Sequence, residues 1–98
     1  MEKSTAHYKL ARIQGLVDQR RIVFTKTATA GFKHMGLRYR EALDVLGRLQ
    51  TQDFYKSMTT YADHTVWQDV YHPRTPYGSA YVKLTVLDDL LVVSFKVR

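Results

Sequence analysis

The hydrophobic positions in the first half of the chain recur at the spacing of an α-helix. An apolar stripe runs along residues 10–17, which predicts an amphipathic helix with Ser4 or Thr5 as its N-cap. A weaker helical pattern stops at Gly36, and a stripe of three leucines follows it. The two further helices predicted by these patterns span residues 27–35 and 40–49.

From residue 54 onward the period changes to two, as in strands that bury one face. Valine, tyrosine, threonine and phenylalanine are frequent here, and residues 62–64 and 88–89 have the length of hairpin loops. The predicted strands are residues 54–61, 65–72, 79–87 and 90–97, with a short strand at 22–25. Helices followed by strands predict a single α+β domain, in which N-terminal helices pack on one face of a twisted antiparallel sheet.

The composition excludes several classes of protein. Of the 98 residues, 45% are hydrophobic and 24% are charged, as in ordinary globular domains. There is no cysteine, which excludes disulfides, thiol nucleophiles and cysteine-ligated metals. The longest apolar run, residues 90–93, is far shorter than the roughly 20 residues that cross a bilayer. No secretory hydrophobic segment follows Met1, so we expect a soluble, cytoplasmic protein without a membrane partner.

The formal net charge of +6 is concentrated in the first half of the chain. Residues 1–49 hold ten basic and four acidic side chains, whereas residues 50–98 hold five of each. Such an excess attracts polyanions, of which nucleic acid is the most common in a cytoplasm. Charge alone is equally consistent with a soluble surface that happens to be basic.

The register of the last predicted hairpin determines which polar side chains are neighbours. A two-residue turn at Asp88 and Asp89 would place Tyr81 opposite Lys96 and Lys83 opposite Ser94. The other face of the hairpin would then be wholly apolar and would form the core. The predicted core residues are Ala80, Val82, Leu84, Val86, Leu91, Val93, Phe95 and Val97. A three-residue turn would instead shift the pairing and separate Tyr81 from Lys96.

The preceding hairpin leaves two registers open. A loop of three residues at 62–64 places Lys56 opposite Val70, with Gln68 diagonal to it on the same face. A loop of two residues pairs Lys56 with Asp69 as a surface ion pair. Without further information, the polar residues of this hairpin are typical of a solvated outer face.

The chemistry open to this sequence is restricted by the motifs that it lacks. The four histidines show no metal-ligand spacing, and no glycine-rich nucleotide motif occurs, so we expect neither a metal nor a cofactor. RNA phosphodiester cleavage fits what remains. Lysines can neutralise a phosphorane, and tyrosine, lysine or histidine can move protons. Aromatic side chains can stack on unpaired bases. The candidate stacking residues are Tyr55, Tyr61, Trp67, Tyr71, Tyr77 and Tyr81.

Two stretches of the strand half are highly specific. Residues 53–71 run from Asp-Phe-Tyr-Lys-Ser-Met to Trp-Gln-Asp-Val-Tyr, and residues 81–96 contain Tyr-Val-Lys-Leu-Thr-Val and Val-Val-Ser-Phe-Lys. With these stretches the chain resembles the MqsR toxin family of bacterial toxin–antitoxin systems, more loosely over the helical half. The resemblance implies a RelE/YoeB-like fold and a metal-free, ribosome-independent mRNA interferase. It also implies cleavage at short GC-containing triplets (GCU-like), with inhibition of translation and growth.

The resemblance further implies which residues form the site. The catalytic residues of the family fall on Lys56, Gln68, Tyr81 and Lys96. The two lysines would bind and stabilise the scissile phosphate. Tyr81 would move a proton or orient the 2′-OH, and Gln68 would position the nucleotide. The substrate-binding candidates are Tyr55, Met58, His72, Arg74 and Lys83.

The partners implied by the resemblance are single-stranded mRNA and an MqsA-type antitoxin. Such an antitoxin binds the operator, so the toxin would meet DNA only through it. Edge strands of the sheet, such as residues 22–25, are natural docking sites by β-augmentation. The alternative function is a non-catalytic nucleic-acid-binding or regulatory module that uses the same basic and aromatic face.

Overall fold

The structure is a computed structural model and describes residues 1–98. Its helices lie on one side of a sheet. The helices are α1 (Leu10–Asp18), α2 (Lys26–His34) and α3 (Tyr39–Gly47), and a 3-10 turn (Thr51–Asp53) follows them. The strands are β1 (Glu2–Lys3), β2 (Ile22–Phe24), β3 (Phe54–Thr59), β4 (Trp67–Tyr71), β5 (Arg74–Thr75), β6 (Gly78–Val86) and β7 (Leu90–Val97). The predicted α+β class is confirmed. No helix is both long enough and apolar enough to span a bilayer.

The sheet has the strand order β1-β3-β4-β6-β7-β2, with β5 paired to β6 alone. The meander β3-β4-β6-β7 is antiparallel, as predicted. At one edge, however, β2 runs parallel to β7, so the sheet as a whole is mixed. Hairpin signals report only pairings between neighbours in the sequence, and β2 pairs with a strand from the other end of the chain.

The helices cover the face of the sheet that carries Ala80, Val82 and Leu84, all of which are fully buried. Phe32 of α2 makes edge-to-face contacts with Phe24 and Phe95, at ring-centroid distances of 5.3 and 5.8 Å. We call the opposite face of the sheet, which carries Tyr81 and Lys83, the outer face. The core therefore leaves the outer face available for function.

Helix α2 lies unusually close to strand β7. A Cβ atom on Gly31 would come within 1.8 Å of the Phe95 carbonyl oxygen, so only glycine fits at this position. Thr25 is the N-cap of α2, and its Oγ1 accepts a 3.0 Å hydrogen bond from the Ala28 amide. The helix ends before Gly36, which has a φ of +95°. The prediction of a helix over residues 27–35 that stops at Gly36 is confirmed.

The predicted N-cap of α1 at Ser4 or Thr5 is wrong, because α1 begins only at Leu10. The preceding segment is held instead by Asp69, a fully buried residue of β4. Its two carboxylate oxygens accept hydrogen bonds from the main-chain amides of His7 and Tyr8, at 3.0 and 2.9 Å. Residues 4–9 are therefore fixed to the sheet before the helix starts.

The β6–β7 hairpin has a three-residue turn, residues 87–89, where two residues were predicted. The expected separation of Tyr81 from Lys96 does not follow, because a bulge at Val93 restores the register. Tyr81 still pairs with Lys96, and Lys83 with Ser94. Between the bulge and the turn the faces are exchanged: Leu90 and Val92 are fully buried in the core, where Leu91 and Val93 were expected.

The β3–β4 hairpin adopts the first of the two registers left open by the sequence, with Lys56 opposite Val70 and Met58 opposite Gln68. A second bulge lies here, since Phe54 pairs with Tyr71 and Lys56 with Val70. The extra residue is Tyr55, which the strict alternation of the strand would direct toward the helices.

Candidate active site

The pairing of the four central strands places the four residues implied as catalytic on the outer face. One row of paired residues crosses the sheet from β3 to β7: Lys56, Val70, Lys83 and Ser94. The next row contains the pair Tyr81 and Lys96. The row on the other side contains the pair Met58 and Gln68. Because side chains two residues apart in a strand share a face, all of these side chains lie on one surface.

Tyr81 and Lys96 are in contact on the outer face. They are directly opposite each other on β6 and β7, and the Lys96 ammonium lies 5.2 Å from the centre of the Tyr81 ring. The ring of His72 lies on the other side of Tyr81, at a centroid distance of 5.8 Å. The phenol is therefore placed between an ammonium group and an imidazole.

The bulge in β3 brings Tyr55 to the outer face. Its ring stacks on His72 with a centroid distance of 4.5 Å and an interplanar angle of 22°, and 53% of Tyr55 is exposed. β-Bulges are often found beside active sites, where they redirect a side chain. Tyr55, His72 and Tyr81 thus form an aromatic strip along one side of the site, an arrangement that strand periodicity alone does not reveal.

Val70 forms an apolar floor between the two lysines of the central row. It is fully buried although it lies outside the hydrophobic core beneath the helices. Its neighbours in the row are Lys56 and Lys83, whose methylene stems can cover an apolar surface while their ammonium groups stay in water. Val70 thus offers an apolar surface between the two lysines.

The outer face is basic although the second half of the chain has no net charge. Lys56, Lys83 and Lys96 lie on this face. Two acidic residues of the same half lie elsewhere: Asp69 is buried against residues 7 and 8, and Asp89 pairs with Arg21 at 3.0 Å. The fold thus separates charges that cancel in the composition.

One carboxylate does reach the site. Glu2 of the edge strand β1 pairs with Lys56 at an Oε2–Nζ distance of 2.9 Å. The hydrogen bond from Lys56 lowers the pKa of Glu2, and the same bond raises the pKa of Lys56. Sequence reasoning missed Glu2, because no hairpin links β1 to β3 and a two-residue strand has no period.

The remaining candidates lie at different distances from this centre. Gln68 is half-buried opposite Met58, and Met58 lines a surface pocket with residues 1–2 and 59–61. Arg74 lies apart, in a pocket that it shares with Asp44 and Arg48 at the end of α3. No group of three or more His, Asp or Glu side chains is close enough to hold a metal ion.

The imidazole of His72 is expected to make stability depend on pH. Burial, with a smaller contribution from Arg98, lowers the pKa of His72 from its usual value of 6.5. The unfolded chain therefore binds this proton more readily than the folded chain, and stability falls as the pH drops below about 6.5. In urea unfolding between about pH 7 and pH 5, the wild type should lose more stability than His72→Gln. Parallel pH profiles of the two proteins would contradict this.

Comparison with known proteins agrees with the resemblance in the strand half. The family model described as "Motility quorum-sensing regulator, toxin of MqsA" matches residues 5–97. The chain belongs to the MqsR toxin family. One relative within it, the mRNA interferase toxin MqsR of Escherichia coli (strain K12), is 46% identical over 96 residues, which is 98% of each chain. The resemblance to the MqsR family is thus confirmed across the helical half as well as the strands.

Proposed function

We propose that this protein is the toxin of a type II toxin–antitoxin system and an endoribonuclease that cleaves mRNA without a ribosome or a metal ion. Membership of the MqsR toxin family supports this class of function. The observation that carries the proposal is the outer face, where Lys96 lies opposite Tyr81 and Lys56 lies in the neighbouring row. The proposed unit is one RelE/YoeB-like domain, residues 1–98, that cuts at short GC-containing triplets such as GCU.

The reaction uses the 2′-OH next to the scissile phosphate as its nucleophile. The 2′-oxygen forms a bond to phosphorus as the bond from phosphorus to the 5′-oxygen breaks. The proton lost by the 2′-OH is balanced by one gained by the 5′-oxygen, so the products are a 2′,3′-cyclic phosphate and a 5′-OH. Lys56 and Lys96 neutralise the charge of the phosphorane, and Tyr81 orients the 2′-OH or moves a proton.

The residues around this centre bind the nucleotides beside the cleaved bond. Gln68 positions one nucleotide through its side-chain amide, because the hydroxyl of Ser57 binds only the main-chain carbonyl of Gln68, at 3.4 Å. The stacked rings of Tyr55 and His72 offer an aromatic surface to an unpaired base. Lys83 adds a charge to the central row, and Met58 lines the surface beside Gln68. This arrangement suits single-stranded RNA, whose bases are free to stack.

The partner that follows from this function is an MqsA-type antitoxin. A suitable docking edge is β2, where hydrogen bonds from Thr25 to Val92 and from Leu90 to Arg21 leave the main-chain groups of Ile22 and Phe24 directed away from β7. Val23 is 51% exposed on the same strand. An extended segment of a partner could extend the sheet there. The proposed location is the cytoplasm, where mRNA and antitoxin are found.

The test is cleavage of an unstructured RNA by the purified protein in the presence of EDTA, with the 5′ ends of the products sequenced. We expect cleavage that survives chelation, leaves cyclic phosphate ends and is lost in Lys56→Ala. Lys33→Ala is the matched control, since it removes an exposed charge from α2 and should cleave normally. Gel retardation of intact RNA would instead indicate the alternative, a non-catalytic nucleic-acid-binding module. Expression without antitoxin should slow growth, and co-expression should restore it.

A further inference from the structure

Strand β1 directs a carboxylate toward the candidate phosphate-binding lysine. β1 pairs antiparallel with β3, with Glu2 opposite Met58 and Lys3 opposite Ser57. Because Met58 lies on the outer face, alternation along the strand places Glu2 on the outer face and Lys3 on the other side of the sheet. The carboxylate of Glu2 accepts a 2.9 Å hydrogen bond from the Lys56 ammonium.

The position of Glu2 is set by the fold on both sides. Before it, the Met1 carbonyl accepts a 2.9 Å hydrogen bond from the Thr59 amide. After it, the Lys3 ammonium lies 4.1 Å from the centre of the Trp67 ring and 3.0 Å from His7 Nδ1. The hydrogen bonds from residues 7 and 8 to Asp69 then fix the rest of the segment. Glu2 therefore belongs to a strand held at both ends.

The presence of a carboxylate in a phosphate-binding site needs an explanation, because its negative charge repels RNA and weakens binding. Of the nine acidic residues, only Glu2 forms an ion pair with a lysine of the outer face. The geometry of Lys56 offers the explanation. An ammonium group has three N–H donors, so the bond to Glu2 leaves two donors for phosphate oxygens.

We propose that Glu2 is a positioning residue for RNA cleavage: it holds the Lys56 ammonium where the scissile phosphate binds, with two N–H groups free for that phosphate. The inference rests on the proposed function, since it assigns a role at the same site. Glu2 acts only through Lys56 and touches neither the 2′-OH nor the leaving oxygen.

The physical basis is the flexibility of lysine. Four rotatable bonds separate its ammonium group from the main chain, and ordering them costs conformational entropy. Glu2 is the only hydrogen-bond partner of the ammonium group. An ammonium group ordered before the substrate arrives aids the transition state more than it aids ground-state binding. Loss of Glu2 should therefore lower kcat, while the removal of a negative charge should leave KM unchanged or lower.

The experiment measures kcat and KM on a single-stranded RNA oligonucleotide that contains a mapped cleavage site. Glu2→Ala should lower kcat about tenfold without raising KM, and Glu2→Asp, which keeps the carboxylate, should recover part of the loss. Asp88→Ala is the matched control, because it removes an exposed carboxylate from the β6–β7 turn and should leave kcat unchanged. Circular dichroism checks that each variant is folded.

A second measurement observes Lys56 without relying on activity. In NMR spectra of the lysine ammonium groups, the Lys56 signal should shift in Glu2→Ala and stay in place in Asp88→Ala. A kcat of Glu2→Ala within twofold of the wild type would overturn the inference. A fall in kcat with an unchanged Lys56 signal would also overturn it. If the wild-type protein does not cleave RNA at all, the proposed function itself fails, which is a different result.

Discussion

Replacement of Lys96 by alanine is expected to lower kcat for RNA cleavage by about 100-fold or more. Lys96 lies opposite Tyr81, with its ammonium 5.2 Å from the centre of that ring, and we propose that it neutralises the phosphorane. Negative charge on the phosphoryl oxygens grows toward the transition state, so the loss should fall mainly on kcat. Steady-state kinetics on a short single-stranded RNA would measure it.

Two further variants test whether the fall in kcat comes from the position of Lys96 or from the loss of any positive charge. Lys33→Ala removes the same charge from α2 and should keep the wild-type kcat. Lys96→Arg keeps the charge and should recover part of the activity. Because Lys96 is exposed, the free energy of unfolding of Lys96→Ala should lie within about 1 kcal/mol of the wild-type value. A kcat for Lys96→Ala within twofold of the wild type would exclude Lys96 from the catalytic machinery.

The second large effect concerns stability. Gly31→Ala is expected to reduce the free energy of unfolding by about 3 kcal/mol. Its methyl group would meet the Phe95 carbonyl oxygen at 1.8 Å, which is main chain and cannot rotate away. Either α2 must retreat from β7 or the strand must move. Because Lys96 follows Phe95 directly, movement of the strand would also lower RNA cleavage. Urea unfolding followed by circular dichroism would measure the loss of stability.

Gly15→Ala is the matched control for this substitution. Gly15 also lies inside a helix, but a Cβ atom there would have no atom within 4 Å apart from its chain neighbours and the backbone of its own helix. Alanine should therefore stabilise the protein by about 0.5–1 kcal/mol, because it restricts the unfolded chain and favours the helix. If both variants were equally stable, the close approach of α2 to β7 would not be a real constraint on the sequence.

Local patterns in the sequence predicted most of the elements of this fold. Period-two alternation located β3, β4, β6 and β7 to within two residues at each end. Gly36 correctly marked the end of α2, since its positive φ closes the helix. The predicted pairing of Tyr81 with Lys96 is confirmed. These features depend on interactions between residues that are near each other in the chain.

The two bulges could not be predicted from the pattern. The length of the turn at Asp88 and Asp89 was left open, and a three-residue turn was expected to separate Tyr81 from Lys96. The bulge at Val93 compensates for the longer turn. The bulge at Tyr55 places an aromatic ring on the face where alternation would not put it. An extra residue in a strand leaves no periodic signal, because it interrupts the period itself.

Pairings between distant segments were also beyond sequence reasoning. Three interactions join parts of the chain that are far apart in the sequence. They are the parallel pairing of β2 with β7, the ion pair of Glu2 with Lys56, and the hydrogen bonds from the amides of residues 7 and 8 to Asp69. Asp69 was considered as a partner of Lys56 at the surface, whereas its carboxylate is buried on the opposite side of the sheet. Its role became clear only from the three-dimensional arrangement.

The two outermost strands of the sheet, β1 and β2, have consequences for the kinetics of folding. Neither pairs with a neighbour in the sequence: Glu2 lies opposite Met58, and Ile22 lies beside Leu90. Such pairings require closure of a long loop before any contact compensates for its entropy. The hairpins β3–β4 and β6–β7 should therefore form early. The pairing of β1 with β3 and of β2 with β7 should then limit the rate of folding. Until β2 pairs with β7, the free edge of β7 is the part of the folding chain most prone to aggregation.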